Sequence, residues 1–200
     1  MGKNDHAVTP AMPVVPSTPA KRFHLAAVHI RLGDYLAVAE SLGGGDRRGR
    51  ESLLRPLVAF LRRAMDLVAS RHAGAPPHKN RNTSTAGLRF VVLCGRHKEC
   101  AEPGTCERER EGSDEDCARV LPAAHAARVS WAPAQTEGED IALMLSCDSA
   151  VVTSGTFGWW GAFLQARGEV VAQRTPYVPE GVRHAFERRD YFPPWWTLID

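Results

Sequence analysis

Hydrophobic and polar positions along the chain follow two alternating rhythms. Residues 23–32, "FHLAAVHIRL", form an apolar run of strand length that ends at Gly33-Asp34. Residues 88–95, "LRFVVLCG", repeat the pattern with branched side chains closed by glycine. Between them Leu54, Leu57, Val58, Leu61, Met65 and Val68 recur at helical spacing, which predicts an amphipathic helix with Pro56 tolerable only near its first turn.

From Arg128 onward the alternation tightens. A short strand "RVSWA", a helix over 139–147, a strand "SAVVT" over 149–153, a helix over 156–166 and a strand "EVVAQ" over 169–173 follow one another, then a short helix around 179–187. Strands that read as continuous Val, Leu and Ala runs are buried on both faces, so the pattern predicts an α/β fold. The simplest architecture is a doubly wound parallel sheet of about five strands with right-handed crossovers.

Other segments lack a period. Residues 1–22 carry four prolines and no apolar core of the kind a signal peptide or membrane span needs, so a disordered leader is expected before a domain at 23–200. Residues 96–118 are dense in Glu, Arg, Gly and Cys and read as a surface insertion. Its Asp114-Glu115-Asp116 contains a formal Asp-x-Asp, but inside a charge run a solvated face is the expected role.

Length and charge narrow the options. The 200 residues, 44% of them hydrophobic, suffice for one domain of ordinary size. Twenty-five basic and 23 acidic residues give a net charge of +2, which supplies no global field for nucleic acid or anionic lipid. Five cysteines match no zinc-finger spacing; Cys100, Cys106 and Cys117 are loop disulfide candidates, and with His97 and His125 an irregular metal cluster. One sequon starts at Asn82 in a polar loop.

Candidate chemistry sits at two strand ends. In "SAVVTSGTFGWWGAFL" Ser154, Gly155 and Thr156 occupy the turn between a buried strand and a helix, where backbone N–H groups attract an anion; alternatively Ser154 or Thr156 caps the helix. If both strands belong to one parallel sheet, "VHIRLGDYL" delivers His29 and Arg31 to the same edge and on one face, Arg31 offering a permanent bidentate cation suited to a diphosphate or else a partner for Asp34. Asp140, at the start of its helix, either caps it or accepts paired hydrogen bonds from a base edge.

"HIRLGDYL" resembles the His-Val-Arg-Arg-Gly-Asp-Tyr motif of the α-1,2-fucosyltransferases of glycosyltransferase family 11, and "EDIALMLSCDSAVVTSGTFGWWGAFL" resembles that family's second motif. The resemblance covers about residues 24–173, and "YFPPWW" is similar to the family's tail more loosely. It implies the Rossmann-like C-terminal lobe of a GT-B enzyme that moves L-fucose from GDP-fucose to the 2-hydroxyl of a terminal galactose, with inversion and no essential metal or other cofactor. It further implies that Arg31 clamps the diphosphate and acts in catalysis, that His29 contacts the nucleotide and Asp140 the guanine edge, and that Ser154, Gly155, Thr156 and Phe157 line the donor site. Asp34 or Glu40 is the nearby carboxylate for a base, with Asp34 the catalytic candidate. The motif's second arginine is Leu32 here. Family members carry an N-terminal lobe before the first motif and are usually Golgi membrane proteins facing the lumen, so the expectation is a nucleotide-binding half whose partners are GDP-fucose and a galactose-terminated glycan. The alternative is a GDP-sugar-binding module of the same fold that does not catalyse transfer.

Overall fold

A computed structural model of the chain describes residues 23–32, 47–72, 87–94, 114–133, 136–165, 168–174 and 191–200. Six strands, β1 (His24–Ile30), β2 (Leu88–Cys94), β3 (Val129–Trp131), β4 (Ser149–Val152), β5 (Glu169–Gln173) and β6 (Thr197–Ile199), form one sheet. All neighbours are parallel, in the order β3-β2-β1-β4-β5-β6. This is the doubly wound Rossmann-like arrangement expected from the sequence, with one more strand than anticipated. β6 lies in the Trp-rich tail, where three residues are too few to show a period.

Among the described residues four α-helices cover the sheet: α1 (Arg47–His72), α2 (Asp114–Val120), α3 (Glu137–Ser146) and α4 (Thr156–Leu164). Alternate strand residues feed two cores. Ala26, Val28, Ile30, Phe90, Val92, Val151 and Val171 pack beneath Leu57, Phe60, Leu61, Ala64, Met65 and Val68 of α1 and Cys117 and Val120 of α2. Ala27, Leu93, Ala150, Val152, Val170 and Ala172 face the other way, against Met144 of α3, Ala162 of α4 and the tail residues Phe192 and Trp196. Burial on both faces explains the unbroken apolar runs.

Local readings need correction in three places. Pro56 stands well inside α1 rather than near its first turn, because the helix extends back to Arg47. Val58 is exposed, whereas Phe60 and Ala64, omitted from the predicted stripe, are fully buried. The insertion 96–118 ends in a helix, α2, followed by a 3-10 turn at Ala123–Arg128.

The cysteines of that region are also resolved in part. Cys94, at the end of β2, is disulfide-bonded to Cys117 of α2, with Cα atoms 6.6 Å apart. His125 pairs through Nε2 with Asp66 Oδ1 at 2.8 Å. Both residues are thus withdrawn from the metal cluster considered above; Cys100, Cys106 and His97, like Asn82, lie outside the described residues. Within the Asp114-Glu115-Asp116 run, Arg119 donates to Glu115 at 2.6 Å and to Asp116 at 3.3 Å. The leader 1–22 and the helix expected at 179–187 also fall outside the described residues.

Candidate functional site

The strand order reverses between β1 and β4: from β1 the chain winds outward to β2 and β3, then returns to β4 and continues to β5 and β6. In open α/β sheets the crevice beyond the carboxyl ends at such a point is where ligands bind. Arg31 leaves β1 and Ser154-Gly155 leave β4 at that crevice, since His29 and Val152 are register partners.

Thr153 locks the two ends together. Its hydroxyl donates to the His29 carbonyl at 3.3 Å and accepts from the Arg31 N–H at 3.1 Å, while its own N–H donates to the His29 carbonyl at 3.3 Å. A buried hydroxyl that satisfies both strand ends fixes where the Arg31 side chain begins. Thr153 was missed as a site residue; its place as the last residue of an apolar strand was the available signal.

Gly155 is the N-cap of α4 and has φ +111°, a conformation other residues adopt only with strain. A Cβ there would lie 2.7 Å from Arg31 Cδ and 3.0 Å from Nη1. The guanidinium therefore rests across the turn, in space that only glycine leaves. The N-cap position is thus held by Gly155, between the two hydroxyl residues considered as caps, and it offers no side chain of its own. Ser154 is buried and Thr156 exposed, so the two hydroxyls do not share one environment as expected.

One turn further, a Cβ on Gly158 would lie 2.4 Å from His29 Nδ1 and 2.9 Å from Cγ. His29, 9% exposed, thus packs flat against α4, with the Phe157 ring 5.4 Å away. His29 in β1 and Arg31 just past its end point to the same side, as the two-residue period required, His29 seated on Gly158 of α4 and Arg31 on its N-cap Gly155. A Cβ on Gly161 would meet Met144 Sδ at 2.5 Å, so a third glycine brings α3 close to α4.

Asp140 is buried in the first turn of α3. It does not cap that helix: Thr136 is the N-cap, and Thr136 with Glu139 forms a reciprocal capping box, with Thr136 N–H to Glu139 Oε2 at 2.8 Å. Its carboxylate lies at a positive helix end on the same edge of the sheet. Asp34 and Glu40 lie outside the described residues.

The tail contributes a residue that the strand and helix pattern did not single out. Trp159 Nε1 donates to the Tyr191 carbonyl at 2.7 Å, tying the tail to α4. The Tyr191 phenol is pushed above its ordinary pKa by burial, and the Arg31 charge opposes that shift. The "YFPPWW" signature was the signal.

Among the described residues no group of three or more His, Cys, Asp or Glu side chains is placed to hold a metal ion. No described helix is long and apolar enough to cross a membrane. Cys147, outside the disulfide, is buried, and its thiol is pushed up to about 11 by desolvation, which makes it a poor nucleophile.

No solved structure matches the chain. Among curated proteins it is 27% identical over 176 residues to galactoside α-(1,2)-fucosyltransferase 1 of Rattus norvegicus and 28% identical to that of Mus musculus, covering 86% of this chain and 36% of each relative. The protein of the same name from Saimiri sciureus is 29% identical over 175 residues, covering 86% of this chain and 37% of its own length. The chain thus spans little more than a third of these relatives. Residues 116–200 match the family model described as glycosyl transferase family 11. Over its C-terminal part the chain is thus similar to the family 11 glycosyltransferases, and Arg31 of the first quoted motif and the Ser154-Gly155 turn of the second meet at one crevice of a doubly wound sheet.

Proposed function

We propose that this chain is the donor-binding part of a galactoside α-1,2-fucosyltransferase that uses GDP-fucose. The observation that carries the reading is the Arg31 guanidinium laid across Gly155, at the amino end of α4 and at the point where strand order reverses. Positive charge from the side chain and from the helix end then acts on one small volume, suited to a diphosphate.

The chemistry follows from that placement. The bond between the anomeric carbon of fucose and the diphosphate oxygen breaks, and its electron pair leaves on GDP. The 2-hydroxyl oxygen of galactose attacks the opposite face, giving inversion, and its proton passes to a carboxylate, for which Asp34 is the candidate on the motif. Negative charge grows on the leaving oxygen in the transition state, so a fixed guanidinium and helix N–H groups lower the barrier, by several kcal/mol. Arg31 supplies in this scheme the charge that other sugar transferases take from a metal. His29 and Phe157 would flank the nucleotide, Asp140 would accept from the guanine edge, and Ser154 and Thr156 would adjoin the ribose-phosphate. A lumenal, membrane-anchored setting in the Golgi accords with the Cys94–Cys117 disulfide, a bond that oxidising compartments preserve.

Calorimetric titration with GDP in EDTA tests the reading. Metal-independent binding that weakens at least tenfold in Arg31→Ala, about 1.4 kcal/mol, is expected. Folded protein that ignores GDP, or binds it equally well without Arg31, refutes it. Transfer to a β-galactoside then separates an active enzyme from a binding module.

A further inference from the structure

α4 buries its small residues and presents its large ones. Gly158, Gly161 and Ala162 form the packed side, where the two glycines lie against His29 and Met144. Trp160, Phe163 and Leu164, at the i, i+3 and i+4 spacing of one helix face, are 53%, 38% and 51% exposed. Trp195 of the tail, 69% exposed, joins them. Its ring lies 6.5 Å from that of Phe163, which meets Trp160 edge-on at 5.9 Å and stacks on Trp159 at 4.8 Å.

Exposed apolar residues scattered singly need no explanation. Among the described residues, however, four of the eight large exposed hydrophobics gather in this one patch, and α4 carries no charged residue on any side. A helix that is apolar all round belongs in an interior. At nine residues α4 is too short to cross a bilayer. A helix lying in a membrane surface would be flanked by Lys or Arg, and neither α4 nor residues 191–200 contain one. The face therefore calls for protein cover.

Charge and area both favour a second copy of this chain. The patch is uncharged, so a twofold axis through it brings no like charges together, as a contact of a surface with itself requires. At these exposures the four side chains leave open on the order of 400–500 Å² per copy, given about 150–250 Å² for a whole aromatic side chain. With a surrounding rim that approaches the roughly 600 Å² per partner at the lower end of specific interfaces. Trp is also among the residues that most often anchor the centre of such contacts.

We propose that the chain forms a twofold homodimer in which the outer face of α4, with Trp195, packs against the same face of a second copy. The inference does not depend on which ligand the crevice takes.

Sedimentation velocity of the full chain from about 1 to about 100 μM tests it, a range that brackets the affinity of a small interface. The wild type should pass from 21.9 kDa to twice that mass as concentration rises. Trp160→Glu combined with Leu164→Glu puts charge into the patch and should stay monomeric throughout, with the melting temperature of the dilute wild type. Val58→Glu, at an exposed position of α1 on the opposite side of the sheet, should dimerise like the wild type. Should the double variant fail to fold, acrylamide quenching of wild-type tryptophan fluorescence decides: it should fall as the dimer forms, and quenching that ignores concentration overturns the proposal. Wild type that stays monomeric at about 100 μM overturns it too, including one that instead binds lactose or floats with phosphatidylcholine vesicles through Trp160. So does a dimer that survives the double variant, or a species that grows without limit, which would mean a head-to-tail contact.

Discussion

Replacing Gly158 by alanine tests how the site is built, because it sets two opposite effects of one methyl group against each other. In a helix interior alanine is favoured over glycine by about 0.5–1 kcal/mol, chiefly through chain entropy. At Gly158 the new Cβ would sit 2.4 Å from His29 Nδ1, 2.9 Å from Cγ and 3.1 Å from Cε1. The ring cannot simply step aside: His29 lies on β1, which is paired on both sides, with β2 and with β4. Either the ring rotates into the Phe157 side or α4 lifts from the sheet, and such overpacking costs about 1–3 kcal/mol. The net expectation is a destabilisation of about 0–2 kcal/mol, together with weaker GDP binding, since both His29 and the amino end of α4 are displaced. Gly138→Ala supplies the control, because a Cβ there meets nothing within 4 Å and the helix gain stands alone. Urea denaturation of both variants should place Gly158→Ala below Gly138→Ala by about 1–3 kcal/mol. Equal stabilities with equal GDP affinity would show that His29 does not pack on α4, and would refute the account of how the glycines seat the site.

Two further outcomes concern the frame. Cys94–Cys117 closes a loop of sequence separation 23, so reduction, or Cys117→Ser, should cost about 3 kcal/mol in urea denaturation, with a thiol titration confirming the state of the pair. His72 is stacked on His24 at 3.6 Å beside Glu169, Arg71, Asp148 and Ser149, and burial, outweighing the attraction of Asp148, lowers its pKa below 6.5. A lowered histidine pKa means that the unfolded chain takes up the proton first. Its contribution to stability is therefore complete above pH about 6.5 and is lost as the pH falls below that. His72→Phe, which keeps the stacked ring without the titration, should flatten the fall in melting temperature between pH 7 and pH 5.

Much of this fold is legible in the chain because its determinants are local. A strand buried on both faces reads as an unbroken apolar run, and β1, β2, β4 and β5 were visible in that way; β3, like β6 three residues long, is partly exposed and was marked only by its neighbours, and β6 carries no period. The site was half legible for the same reason. His29, Arg31 and the Ser154-Gly155-Thr156 turn stand at strand ends, which the sequence marks with glycine and polar residues. What brings them together is the pairing of β1 with β4, a contact between residues more than a hundred positions apart that no window can display. The function of the glycines in α4 was hidden too, because a glycine in a helix reads as a weakness until the side chain seated on it is known. Likewise five cysteines leave their connectivity open, and only the proximity of β2 to α2 selects Cys94 and Cys117.

The charge arrangement argues for a ligand independently of any motif. The Arg31 side chain rests where a Cβ at position 155 would stand, and the N-cap of α4 is a glycine with no side chain of its own to offer. The helix next to it shows the alternative: α3 closes its amino end with the Thr136–Glu139 capping box. One neighbouring helix is thus sealed by its own side chains, and the other is left to glycine and faced by a cation. An anion bound there, as proposed, would be attracted by both the guanidinium and the amino end of α4. On the proposed reading the glycine at position 155 makes room for the guanidinium that a diphosphate would meet, a role that its place at the start of a helix would not by itself explain.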